Sequence, residues 1–275
     1  TEYTNNVVLG TYADITDRKH NQEELESYKQ QLEEMVAERT AALEASNKEL
    51  ESYSYSIAHD LRSPLRSLVG FSQIIAEDAA PKLNEDVLDA LRRIMSAGKH
   101  MAELIDDILE LSKITRREIK LSTINITAIA HEIANNLTEL NSDRVIEWNI
   151  QDNMFEHGDA QLLPLMMQNL IDNALKFTSN TKYSKIEIGQ RTKDNTNIYY
   201  VRDNGVGFDM QYKEKVFMPF QRLHANEFDG TGIGLATVQR IVQRHGGHIW
   251  AEANPDNGAT FYFTLCPNQP ATRLQ

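Results

Sequence analysis

The stretch Ser54–Leu68, SYSIAHDLRSPLRSL, reads as one continuous helix, and the architecture of the chain follows from how that helix is used. Ile57, Leu61, Leu65 and Leu68 keep helical spacing and are expected to form a buried stripe. His59 lies two residues past Ile57 and two before Leu61, about 200° from each around the helix axis. Its imidazole is therefore expected off the stripe, in water. Asp60 follows at once, and an exposed imidazole beside a carboxylate is a nucleophile with a proton acceptor at hand. Arg62, Ser63 and Pro64 come next. Pro64 has no N–H, so it releases the carbonyl of Asp60 and allows a bend just below the histidine. Taken alone, the stretch is equally well read as a solvent-facing histidine in a charged patch.

Outward from this helix, residues 17 to 77 contain no glycine before Gly70 and no proline but Pro64. Leu25, Tyr28, Leu32 and Met35 alternate as the inner positions of a heptad, and Val36, Leu43, Leu50 and Ile57 continue at steps of seven. The step of four from Leu32 to Val36 is a stutter that locally unwinds a coiled coil. About 60 residues at 1.5 Å each is too long for a helix inside one globular domain, so a parallel dimeric coiled coil is expected over 17–52. Residues 1–16, ending NNVVLGTYADIT, read as one strand and its exit, the end of a preceding domain.

Pro81 and Asn84 break the helix, and Glu85 and Asp86 favour a new N-terminus. The second helix is expected over Glu85–Arg116, with Val87, Ile94, Met101 and Ile108 in one row and Leu91, Gly98 and Ile105 in its companion. Two such helices make a hairpin over 53–116 whose stripe stays wet unless a second copy covers it. A homodimeric four-helix bundle is expected.

After residue 116 the periodicity changes. Ile119–Ile124, Val145–Ile150, Lys185–Gln190, Ile198–Arg202, His248–Ala253 and Ala259–Leu265 read as strands; Ile126–Leu140, Asp159–Phe177 and Thr231–His245 read as helices. This is an α+β sandwich over 117–268, a mixed, mainly antiparallel sheet under a layer of helices, followed by a tail, 269–275. The chain is therefore multidomain. Its 275 residues carry a net charge of −12, which argues against a nucleic-acid partner. A single cysteine, Cys266, excludes an intramolecular disulfide framework, and there is no run of 18 apolar residues to span a membrane.

Three clusters in the sandwich carry chemistry. In NLIDNALKFT (Asn169–Thr178), Asn169, Asn173 and Lys176 share one helix face, and two amides with an ammonium suit a metal ion and phosphates. DNGVGF (Asp203–Phe208) follows a strand; its glycines admit close backbone approach and Asp203 can accept from an exocyclic amine, although DNGxG is also an ordinary turn. DGTGIGLATV (Asp229–Val238) is a glycine-rich loop running into a helix N-terminus, a natural place for phosphate.

Together, in this order, these segments resemble the catalytic core of the sensor histidine kinases of two-component systems. HDLRSPL resembles the family's phospho-acceptor box, NLIDNALKFT its N box, DNGVGF and GTGIGL its glycine boxes, and VFMPFQR (Val216–Arg222) its phenylalanine box; PDNGATF near Gly258 matches a further glycine box only in part. DITDRK resembles the exit of a PAS sensor domain. The resemblance implies that ATP and Mg²⁺ bind, with Asn173 on the metal, Asn169 and Lys176 flanking the phosphates, Phe177 against the ribose or base, Asp203 reading the adenine amine and Gly207 close to the base. It makes Val206–Asp229 the lid, anchored by Phe217 and Phe220, with Arg222 reaching the γ-phosphate. Gly230, Gly232 and Gly234 would wrap the phosphates, and Gly205, Thr231 and Leu235 complete the nucleotide set. His59 would take the γ-phosphate, Asp60 would orient it and accept its proton, and the phosphoryl group would pass to an aspartate of a separate response-regulator receiver domain. Ser63 stands where the family commonly has Thr or Asn, the position that orients water in dephosphorylating the receiver. A cytoplasmic chain is expected, within a longer protein that a membrane anchor could hold. Two other readings are a related ATPase clamp of the Hsp90 or gyrase kind and a dimeric scaffold without catalysis. The clamp enzymes place a carboxylate four residues before the metal asparagine; here that residue is Asn169, and an amide is no base at neutral pH.

Overall fold

The computed structural model describes the backbone of residues 2–78, 84–194, 196–224 and 227–265, and the side chains of these except residues 2–17, 43, 44, 46–55, His59 and Arg116. The expectations for Pro81, Cys266 and the tail lie outside the described residues. The chain divides into two units, Thr1–Ser56 and Ile57–Gln275. Helix α1 (Glu2–Asp78) supplies backbone to both. The strand expected over 1–16 is not formed, because the backbone is helical from Glu2 onward. A lone strand leaves its N–H and C=O groups without partners, whereas a helix satisfies them internally, so β-forming valines and threonines are overruled. In the first unit Leu25, Tyr28, Leu32, Met35 and Val36 are all exposed along the single chain.

The second unit begins with a helical hairpin. Helix α2 (Glu85–Arg116) has the expected bounds and is capped by Asn84, whose side chain accepts from the Val87 N–H at 3.0 Å. Here the buried stripe is corrected. Of Ile57, Leu61, Leu65 and Leu68 only Leu65 is buried; Ala58 and Leu65 pack with Ile105 and Leu109 of α2, and Ser72 and Leu91 are also buried. The helix carries two apolar rows, and a single hairpin can cover only one. Gly98 lets the helices approach: a Cβ there would lie 2.3 Å from Cγ2 of Val69. Arg62 pairs with Asp106 across the hairpin at 2.5 Å.

The sandwich follows in the order β1 (Leu121–Asn125), α3 (Ile126–Leu140), β2 (Ile146–Ile150), β3 (Phe155–Asp159), α4 (Leu162–Phe177), β4 (Ser184–Lys193), β5 (Thr196–Asp203), α5 (Gly234–Arg244), β6 (Ile249–Ala253) and β7 (Ala259–Thr264). Five strands form one sheet, β2-β4-β5-β7-β6, in which only β2 and β4 run parallel. One face carries Ile186, Ile188, Tyr199, Val201, Phe261 and Phe263 into a core shared with α3, α4 and α5. The sequence missed β3, which pairs antiparallel with β1 as a separate two-stranded sheet. Its last residue, Asp159, caps α4 by accepting from the N–H groups of Gln161 and Leu162 at 2.9 and 3.1 Å. That loose turn puts Pro164 near the start of α4 rather than in its interior, where a proline is tolerated. Helix α5 seats the sandwich on α2: Arg240 donates to Thr115 at 3.2 Å and Arg244 to the carbonyl of Ile114. Among the described residues no helix is long and apolar enough to cross a membrane.

Candidate functional site

A cavity of about 410 Å³ opens between α4, the ends of β5 and β7, the segment joining β5 to α5, and α2. Asn169, Asn173, Lys176 and Phe177 reach it from α4; Asp203 and Gly207 from the end of β5; Arg222, Gly230, Thr231, Gly232, Gly234 and Leu235 from the loop entering α5. Three clusters separated by tens of residues thus meet at one place. Two expected members stand off its wall. Gly205 lies beneath it, its N–H donating to Oδ1 of Asp203 at 2.8 Å. A Cβ on Gly205 would lie 2.4 Å from the carbonyl oxygen of Phe177, so only glycine fits there. Phe220 has φ +65° and its ring is 57% exposed, so it holds the loop by its backbone, donating to the carbonyl of Gly232 at 3.0 Å. Phe217, by contrast, is buried edge-on to Phe261, with centroids 6.2 Å apart.

The floor is built from β5 and its neighbour β7. Asp203 is buried, and besides Gly205 it accepts from the N–H of Ala259 at 3.3 Å. Burial pushes its carboxyl up to about 6, against the lowering effect of those two N–H groups. Gly207 adopts φ +58°, and a Cβ there would lie 2.0 Å from the carbonyl oxygen of Asn254. Gly258 adopts φ +79° with the carbonyl oxygen of Asp203 2.0 Å from its Cβ position. The partly matching segment PDNGATF thus closes the floor from below.

The other end is polar and cationic. Asn169 donates Nδ2 to the carbonyl of Leu165 at 2.9 Å, which leaves its Oδ1 toward the loop. A Cβ on Gly234 would sit 2.7 Å from that oxygen, so the glycine lets the N-terminus of α5 close on the amides of α4. The first turn of α5 has no side-chain cap, and its free N–H groups and helix dipole favour an anion. Burial, followed by the charge of Arg222, lowers the pKa of Lys176 against the pull of Asp172 and Asp229. Asp172 on the same wall is pushed up by partial burial, opposed by a hydrogen bond from Gln168 and by the charge of Lys176.

Sequence reasoning missed several residues of this site. Glu103 and Asp107 line it from α2, and the hydroxyl of Thr231 donates to Asp107. In sequence they are an ordinary solvated i, i+4 pair. His224 and Phe228 are also on the wall, and nothing in their local spacing marks them out in sequence. Asp60 and Ser63 of α1 are exposed and not on the wall, and the side chain of His59 lies outside the described residues. Among the described residues no three His, Cys, Asp or Glu side chains cluster as metal ligands.

Two family models match the chain: His Kinase A (phospho-acceptor) domain over residues 49–117, and Histidine kinase-, DNA gyrase B-, and HSP90-like ATPase over residues 158–269. The chain is 33% identical to phytochrome-like protein Cph1 of Synechocystis sp., over 84% of this chain and 31% of that protein. It is 31% identical to the methanogenesis regulatory histidine kinase FilI of Methanothrix harundinacea, over 94% of this chain and 29% of that protein. It spans about a third of the length of these relatives. Among solved structures its fold is similar to full-length ShkA in complex with AMPPNP, with TM-score 0.58 and 21% identity over 78% of this chain and 45% of that one. It is also similar to the histidine kinase AdeS of Acinetobacter baumannii, with TM-score 0.53 and 21% identity over 76% of this chain and 98% of that one.

Proposed function

The chain belongs to the sensor histidine kinases, and from that premise we propose that it binds ATP in the cavity and transfers the γ-phosphoryl group to His59. The observation that carries this reading is the convergence of Asn173, Asp203 and Gly230–Gly234 on one cavity with an anion-favouring helix terminus at one end and a buried carboxylate at the other. The adenine amine donates to Asp203, the base lies against Phe177, and the phosphates run past Lys176 and Arg222 to the first turn of α5. Mg²⁺ fits the amide end: Asn173, with Oδ1 of Asn169 beside it, offers neutral oxygen ligands, and the phosphates supply the rest. When bound, the ion neutralises charge on the phosphates.

An imidazole nitrogen of His59 attacks the γ-phosphorus in line, the bond to the bridging oxygen breaks, ADP leaves, and the imidazole proton passes to Asp60. Phosphoryl transfer is mainly positioning and charge neutralisation, and these residues supply both. An aspartate of a response-regulator receiver domain then attacks the phosphorus and the imidazole leaves. Ser63 is exposed one turn along from His59, and its hydroxyl would orient a water on a docked receiver if the chain also removes the phosphoryl group. The exposed rows of α1 and α2 are covered in a homodimer, and the exposed seam of the first unit pairs in a coiled coil that carries a signal from a PAS-like sensor domain.

The test is labelling with γ-labelled ATP. The wild type is expected to acquire acid-labile, alkali-stable phosphate and His59→Gln none. Labelling that survives His59→Gln removes that residue from the reaction.

A further inference from the structure

The loop between β5 and α5 returns to the base end of the cavity through one side chain. Nε2 of His224 lies 2.9 Å from the carbonyl oxygen of Gly207. A carbonyl only accepts, so Nε2 carries the proton and donates. Gly207 has no freedom to follow a moving partner, since its φ of +58° and the carbonyl of Asn254 beneath it fix its place. The imidazole also meets two rings: Phe228, edge-on at 6.0 Å, and Phe177, tilted at 6.1 Å. Phe177 and Phe228 meet edge-on at 5.2 Å, so the three rings close a triangle. The triangle is set by a turn, in which the carbonyl of His224 accepts from the N–H groups of Glu227 and Phe228, both at 3.2 Å. Phe228 is buried, and all three rings line the cavity together with Gly207.

Resting on the nucleotide reading above, we propose that His224 is a positioning residue for the base. Its hydrogen bond fastens the loop to the floor beside Asp203, and its ring holds Phe177 in the orientation against which the base stacks. Edge-to-face aromatic contacts and a hydrogen bond to a buried carbonyl act together here, and the triangle borders the phosphate end, where the Lys176 ammonium lies 4.6 Å from the Phe177 ring centroid and Arg222 donates to the carbonyl of Phe228. His224 itself meets Gly207, Phe177 and Phe228, so the side chain governs how tightly a nucleotide is held by its base more than it governs the transfer step.

The experiment compares the chain with His224→Ala, His224→Gln, which keeps a donor, and His224→Phe, which keeps a ring. Affinities for ADP and for a non-hydrolysable ATP analogue are read by calorimetry, autophosphorylation by kcat and KM for ATP, and folding by the urea midpoint. His224→Ala is expected to weaken ADP and the analogue by the same factor, about tenfold. KM is expected to rise alike, with kcat within twofold and the urea midpoint of the nucleotide-free protein unchanged; the Gln and Phe variants are expected to recover part of the loss. Unchanged affinities, a loss confined to the triphosphate, or a fall in kcat at saturating ATP would overturn the proposal. If His224→Ala does not fold, the Gln and Phe variants are read by the same criteria. A wild-type chain that binds neither ligand overturns the nucleotide reading itself, a different failure from a wild type that binds and a variant that binds equally well.

Discussion

Burial sets the acid–base behaviour of Asp203 and, on the proposed nucleotide reading, ties adenine recognition to pH. Its folded-state pKa of about 6 lies above the ordinary 3.8, so between those values the folded protein takes up a proton that the unfolded chain does not. The stability this residue contributes is therefore fully present below about pH 4 and lost as pH rises through 6. Binding runs the other way. An amine donates best to a carboxylate, so ADP affinity is expected to be flat above pH 7 and to fall as pH drops through 6. Asp203→Asn keeps an acceptor for Gly205 and Ala259 but loses the charge. It is expected to bind roughly tenfold more weakly at pH 7.5, with a flattened profile between pH 5.5 and 8. Calorimetric titrations across that range check both statements, and a wild-type profile without a break near 6 contradicts the assignment.

At the scale of elements, two glycines show how the same substitution separates fold from site. Gly258 sits at φ +79° at the entry to β7 with backbone 2.0 Å from its Cβ position, so alanine meets both strain and a group that cannot yield. Gly258→Ala is expected to lower stability by at least about 2 kcal/mol, read from urea unfolding. Gly234 begins α5 with ordinary φ, and its Cβ would meet only the side-chain oxygen of Asn169 at 2.7 Å. Gly234→Ala is expected to change the unfolding free energy read from urea by no more than about 0.5 kcal/mol, because alanine favours the helix, while moving Asn169 and raising KM for ATP several-fold. The same elements mark what the sequence could reveal. Helices α2 and α3 have the expected bounds, because each begins at an asparagine whose side chain accepts from the N–H three residues on and each keeps a clean apolar period. Strand β3 was illegible: FEHGD has no alternation, and its partners in β1 lie 30 to 38 residues away. Asn169, Asn173, Asp203 and the loop glycines were legible because each box has a local spacing. His224 and Phe228 were not, since their roles exist only once the loop has folded back onto Gly207 and Phe177.

For the molecule as a whole, the hairpin of the second unit leaves a surface that water does not suit. Leu68, Phe71, Ile74 and Ile75 on α1 and Val87, Ile94 and Met101 on α2 are each 40% exposed or more. They continue the rows read from sequence as wanting a partner, and on helices this long they form an apolar band beyond what a soluble monomer ordinarily shows. In the proposed homodimer a second hairpin packed on it would complete four helices around one core. Ile94 faces away from the covered row of Leu91, Gly98 and Ile105, so a charge there disturbs the band without entering the hairpin's own core. Wild-type protein is expected to sediment at twice the 31.3 kDa chain mass, and Ile94→Glu to shift it toward that of one chain at micromolar concentration. ADP affinity is expected to be unchanged in Ile94→Glu, because the residue does not line the cavity. A variant that remains dimeric places the interface elsewhere, and a monomer that loses ADP binding shows that the sandwich depends on the bundle for its own fold.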